Sequence, residues 1–234
     1  MTALIVVFGV VFAIAGWWLS QQRLASKPWL EAGAPGEFPG TEASSLPAAT
    51  IGLGVFLAVV GSLFALLISA YALRTSGTEA QPLPAPQLLW LNTGVLVLSS
   101  AALQLASMAA KRGEIDFTRA ALFAATVFAL AFLGGQLLAW RQLNAAGFYL
   151  AANPSSSFFY LITGMHGLHL AGGLVGLGRI SARAWSGAAA AQFRLGVGLC
   201  AAYWHFLLLL WLVLFALLTR GGDDFLAICR SLVA

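Results

Sequence analysis

Charge is what this sequence has least of: only 9% of its 234 residues are Asp, Glu, Lys or Arg, against about a quarter in ordinary soluble domains. The complement excludes a water-soluble fold. Hydrophobic residues make up 60%, Trp accounts for 8 positions and Phe for 16, and the mean hydropathy is +0.89, more apolar surface than a chain of this size can bury on itself. Cysteine is nearly absent. Cys200 and Cys229 are the 2 present, too few for a disulfide framework or a sulfur-ligated metal. The net charge of +4 comes without a basic stripe, so nucleic acid is not an expected partner. No internal repeat recurs at a fixed period, which argues against a repeat architecture.

What is present instead is a series of uncharged runs. Six stretches of 20 or more residues carry no Asp, Glu, Lys or Arg: 1–22, 43–73, 80–110, 120–140, 142–178 and 195–219. About 20 helical residues cross a ~30 Å hydrocarbon layer, and a helix satisfies its own backbone there. The runs therefore predict an all-α, polytopic membrane helix bundle with six transmembrane helices, at 2–20, 49–73, 87–110, 118–140, 156–178 and 195–219. The fifth run is too long for one span, and Asn153-Pro154 followed by three serines is a helix-start signal, so its first part reads as loop.

This divides the chain into an N-terminal helix with an interfacial loop (1–48), a five-helix core (49–219) and a polar tail (220–234). The loop carries Pro28, Pro35, Pro39 and Pro47, with Trp29 as a candidate headgroup-level anchor. The stretch before Ala13-Ile14-Ala15 has the apolar length of a secretory leader. No positive charge precedes it, however, and its apolar character continues through Trp17 and Trp18, so it reads as a span rather than a cleaved signal. Lys and Arg in short loops stay on the cytoplasmic side. With both termini outside, the inner loops hold eight of them (Arg23, Lys27, Lys111, Arg112, Arg119, Arg179, Arg183, Arg194) and the outer segments four (Arg74, Arg141, Arg220, Arg230). Both termini are expected on the outer face.

No charged residue lies near the middle of a predicted span, where pumps and carriers keep one; the absence of repeats also argues against a secondary transporter. Asn92, Ser99, Ser100, Gln104, Gln136, Tyr160, Thr163 and Tyr203 are the polar groups left inside spans, and each reads as a helix-to-helix hydrogen bond worth roughly 1 kcal/mol. His166, His169 and His205 fall in the last two spans. Taken as residues alone they leave two readings open, a metal or haem site and a hydrogen-bonding role. His166 and His169, three apart, are expected on one helix face that Gly173 and Gly176 continue. Zinc and copper sites in bundles usually add a carboxylate or thiolate, and none stands near them by spacing alone. The glycines Gly164, Gly167, Gly172, Gly173, Gly176 and Gly178 crowd the fifth span, and the Gly172-to-Gly176 spacing predicts close approach of a neighbouring helix.

The run Ser157-Phe158-Phe159-Tyr160-Leu161-Ile162-Thr163-Gly164-Met165-His166-Gly167-Leu168-His169, together with Tyr203-Trp204-His205-Phe206 followed by Trp211, resembles the signature of subunit III of the haem-copper terminal oxidases (cytochrome c oxidase). Leu89-Trp90-Leu91-Asn92-Thr93 and the stretch Phe132 to Gln136 fit in order, and the resemblance covers 49–219. It implies a non-catalytic subunit of a proton-pumping oxidase in a bacterial plasma membrane, fed by cytochrome c, or, in the alternative, subunit III of a quinol oxidase or an accessory protein of nitric oxide reductase. It implies no catalytic, cofactor or metal residue on this chain, haem and copper in partner subunits I and II, and direct packing on subunit I with other small subunits nearby. It further implies bound phospholipid and support of proton uptake and active-site durability. The motif positions Asn92, Gln136, Tyr160, Thr163, Gly164, His166, Gly167, His169, Tyr203, Trp204, His205 and Trp211 then become structural or lipid-facing. Three features depart from the family. The first span resembles neither of the two extra helices of longer members, the span at 49–73 lacks the Glu often found there, and Leu208 stands where an Asp often follows the YWHF motif.

Overall fold

The structure is a computed structural model that describes residues 47–75, 88–150, 154–186 and 190–219. The predicted first span at 2–20, the loop with Trp29, Cys229 and the polar tail lie outside the described residues. The described residues form five helices: α1 (Ala48–Thr75), α2 (Leu88–Arg112), α3 (Ile115–Ala145), α4 (Pro154–Trp185) and α5 (Ala190–Thr219). All five are long and apolar enough to cross a membrane, and the chain is a multi-pass membrane protein.

Each core span predicted from the uncharged runs coincides with one of these helices, but α3, α4 and α5 extend further than the runs. α3 includes Asp116, Arg119 and Arg141, α4 includes Arg179 and Arg183, and α5 includes Arg194. The uncharged run marks the depth of the hydrocarbon, whereas the helix continues into the headgroup layer, where long charged side chains reach water. α4 begins at Pro154, a position where the missing N–H costs nothing.

Two helix ends are closed by glycine. Beyond α2, the Gly113 N–H donates to Ala110 C=O at 3.3 Å and the Glu114 N–H to Ala109 C=O at 3.0 Å, with Gly113 at φ +80°. Beyond α3, the Gly147 N–H donates to Asn144 C=O at 3.1 Å and the Phe148 N–H to Leu143 C=O at 3.0 Å, with Gly147 at φ +88°. Both are Schellman ends, which need a left-handed residue that glycine supplies without strain.

α2, α3, α4 and α5 close into a four-helix ring in which each packs on the next and α5 returns to α2. α1 lies against the outside of α4 and α5. The largest side chains sealed inside the protein are Trp204, Trp211, Phe64, Phe132 and Phe193. Outward-facing positions carry bulky apolar groups such as Phe123, Leu130, Leu168 and Leu209, as expected where the solvent is lipid.

At Gly173, α4 lies directly against two rings of α5. A Cβ there would meet Tyr203 Cε1 at 2.7 Å and Trp204 Cζ3 at 2.8 Å, so only glycine fits between the two rings. This corrects the expectation placed on Gly172 and Gly176: a Cβ at either meets nothing within 4 Å. The spacing of small residues was informative, but the helix is turned one position from the face it predicted.

Candidate functional site

The polar residues of the spans meet at the seams between helices. At the α2–α5 seam the Trp211 Nε1–H donates to Thr93 Oγ1 at 3.0 Å, and the Thr93 hydroxyl donates to Leu89 C=O at 2.8 Å. Nearly two turns along α2, the Trp204 Nε1–H donates to Ser99 Oγ at 3.0 Å, and the Ser99 hydroxyl donates to Ala125 C=O on α3 at 2.9 Å. One serine thus joins three helices. Between α2 and α3, the Asn92 side-chain amide donates to Gln136 Oε1 at 3.3 Å. Gly135 gives this pair its room, because a Cβ there would overlap the Asn92 amide.

The α3–α4 seam is closed near the C-terminal end of α3 by tryptophan and tyrosine. The Trp140 Nε1–H donates to Thr163 Oγ1 at 3.1 Å, and the Thr163 hydroxyl donates to Phe159 C=O at 2.6 Å. Gly164 lies against the Trp140 ring, with 3.5 Å from the position of a Cβ to the nearest ring atom. The Tyr160 hydroxyl stands 2.9 Å from both Asn144 Oδ1 and Phe148 C=O. It anchors the α3 end to α4 through whichever acceptor takes its single proton. Gly167 borders Leu133 of α3, 3.7 Å from the position of a Cβ.

The three histidines do not converge. His166 is sealed in the core, with its Nε2–H donating to Leu207 C=O of α5 at 3.2 Å and its ring between Phe132 at 5.7 Å and Trp211 at 5.0 Å. His169 donates from Nδ1–H to Met165 C=O of its own helix at 2.7 Å and sets its ring 5.5 Å from Phe64 of α1. Its backbone carbonyl accepts the Tyr203 hydroxyl at 2.9 Å. His205 faces α2, bonded to Ser100 Oγ at 2.5 Å and Gln104 Oε1 at 2.9 Å. The shared face expected for His166 and His169 is therefore split: three positions on a helix differ by about 60° in direction, enough to point one ring at α5 and the other at α1. Among the described residues no three His, Cys, Asp or Glu gather as a metal site would require. Cys200 is buried as a free thiol in the apolar core.

Several contacts were not legible as site features. Trp140 precedes Arg141 and has the sequence look of a headgroup anchor, yet its ring turns inward to Thr163. Arg119 was counted only as a loop charge. Its Nε–H donates to Ala184 C=O at 2.9 Å, it pairs with Asp116 at 3.4 Å, and its guanidinium stands 5.7 Å from the centre of the Trp185 ring. It pins the start of α3 to the end of α4. Beside α1, an open apolar groove of about 470 Å³ runs along α4, lined by Phe56, Leu168, His169, Ala171, Gly172 and Val175.

The fold and its seams define a class: an integral membrane helix bundle in which polar side chains on every helix of the ring bond across the seams to neighbouring helices. The chain belongs to the cytochrome c oxidase subunit III family, whose family model matches residues 53–221, the five described helices almost end to end. It is 32% identical over 173 residues to cytochrome c oxidase subunit 3 of Thermostichus vulcanus, covering 72% of this chain and 85% of that protein. It is 29% identical over 168 residues to cytochrome bo(3) ubiquinol oxidase subunit 3 of Pseudomonas aeruginosa, covering 72% and 79%. A probable cytochrome c oxidase subunit 3 of Mycobacterium tuberculosis is 34% identical over 127 residues, 54% of this chain and 62% of that protein.

Proposed function

We propose that this chain is the non-catalytic third subunit of a proton-pumping oxidase that reduces oxygen to water. In this reading it packs on the haem-bearing subunit I, and haem and copper reside in subunits I and II. The observation that carries it is the divergence of His166, His169 and His205 onto three different helices, which leaves the family motifs as links between helices rather than as a ligand set. The complex sits in a bacterial plasma membrane with both termini of this chain on the outer face, following the eight-to-four distribution of Lys and Arg.

Phospholipid occupies the groove between α1 and α4, whose lining offers acyl-chain contacts and no charge. Support of proton uptake comes from bracing subunit I. α1 contains no carboxylate, and Leu208 packs against the apolar core. Among the described residues the carboxylates are Glu114 and Asp116, both exposed at the α2–α3 turn.

The test is to remove or alter this chain and follow the rest of the complex. His166→Ala is expected to weaken association of the complex in mild detergent while the haem absorption of the remaining subunits stays unaltered. Loss of a haem signal in proportion to the substitution would overturn the proposal. The electron donor is read from the companion chains: a copper-binding subunit II favours cytochrome c, and one without copper favours quinol, as the likeness to the Pseudomonas aeruginosa ubiquinol oxidase subunit allows.

A further inference from the structure

Gln104 and His205 are exposed on the outer surface of the α2–α5 seam, close to the middle of their spans. Other exposed polar side chains are placed differently. Ser62 on α1 returns its hydroxyl to Ala58 C=O of its own helix at 2.9 Å, and Gln142 and Asn144 stand at the headgroup end of α3. At the seam the Gln104 carbonyl oxygen can only accept, so His205 Nε2 carries the proton and Nδ1 accepts from the Ser100 hydroxyl. The imidazole is then fully used, whereas the Gln104 amide nitrogen keeps two donors with no partner among the described residues. An amide donor facing hydrocarbon is costly. Lipid acyl chains offer it nothing. Ala101 on α2 and Ala202 on α5, each one turn from the pair and exposed, leave room for a helix backbone to come close.

We propose that this seam is where the chain meets a transmembrane helix of the haem-bearing subunit, and that this helix presents a hydrogen-bond acceptor, a hydroxyl or carbonyl oxygen, to Gln104 at mid-membrane depth. The proposal rests on the reading of the chain as an oxidase subunit and adds the face it uses. Ser100 and His205 act as positioning residues that hold the Gln104 carboxamide with its nitrogen outward.

The experiment uses the full chain in its native membranes, with a photo-crosslinking amino acid placed in turn at Ala101, at Ala202 and, on an outward face of α3, at Phe123. Crosslinks to the haem-bearing subunit from Ala101 and Ala202 and none from Phe123 are expected. In parallel, Gln104→Leu should lower the amount of that subunit retained in mild detergent by about five- to tenfold, the scale of one interhelical hydrogen bond, and Gln104→Asn should recover part of it. Gln104→Leu also loses the bond to His205, so Ser99→Ala, which breaks a buried seam bond elsewhere on α2, is the control: it should lower the melting temperature of the solubilised chain at least as much while leaving retention at the wild-type level, and equal loss of retention in both would overturn the docking role. Capture of the haem-bearing subunit from Phe123 alone would overturn the face and leave the subunit reading intact. Crosslinking from Ala101 only to a photoactivatable phospholipid or to a second copy of this chain would overturn the partner. Absence of any oxidase subunit from all three positions would end both readings together.

Discussion

α1 and the four helices beside it are held by different means. In the ring of α2 to α5, side chains cross every seam with directional bonds: Trp204 to Ser99, Trp211 to Thr93, Asn92 to Gln136, Trp140 to Thr163, and Tyr203 to the His169 carbonyl. α1 leans on α4 and α5 through rings, with Phe56 set against Tyr203 at 6.0 Å, Phe64 against His169 at 5.5 Å and Tyr71 against Phe158 at 5.9 Å. Of an 18-residue apolar window, 11% is buried within the protein in α1 and 33 to 50% in the other four. Lipid is as apolar as leucine, so burial alone drives helices together weakly there, and fit and hydrogen bonds decide. The ring is fixed by both, and in α1 the aromatic ring contacts supply the fit.

The sharpest way to break the ring is at the α4–α5 contact, where rings crowd a glycine. Gly173→Val would push atoms into the Tyr203 and Trp204 rings, and separating α4 from α5 should cost about 3 kcal/mol or more, seen as a large drop in the melting temperature of the detergent-solubilised chain. Trp204→Phe keeps a ring but loses the bond to Ser99, and a loss of roughly 1–2 kcal/mol by the same measurement is expected. Phe64→Ala probes the other region. It should cost about 1 kcal/mol of packing and show itself mainly as faster hydrogen exchange along α1, with exchange in α2 to α5 unaltered. If exchange rose equally in all five helices, the two regions would not be separate. Gly172→Ala, one position from the first substitution but facing open space, should change stability by less than about 0.5 kcal/mol. The contrast between neighbouring glycines measures how narrowly the ring is fitted.

The absence of charge made the five core spans readable, because one Asp or Arg in hydrocarbon is costly enough to mark a boundary. The polar residues inside spans were readable as a set, since a polar side chain in such a helix seeks a partner. Which partner it finds was not. Ser99 bonds to a backbone carbonyl of α3 while the neighbouring Ser100 turns to His205, and a difference of one residue rotates a side chain by about 100°. The same rotation moved the close contact from Gly172 to Gly173 and divided His166 from His169. Helix rotation is set by the neighbours' shapes, which a single span does not display. Trp140 was obscured for a related reason: a tryptophan at a span end suits the membrane interface and an interior seam alike.

The turn at Gly113 joins α2 to α3 with two residues, Gly113 and Glu114. So short a link holds the two helices antiparallel, as a hairpin set by the chain itself. It also sets a limit for anyone building on this protein. A reporter or affinity tag spliced between Gly113 and Glu114 would have to prise the pair apart.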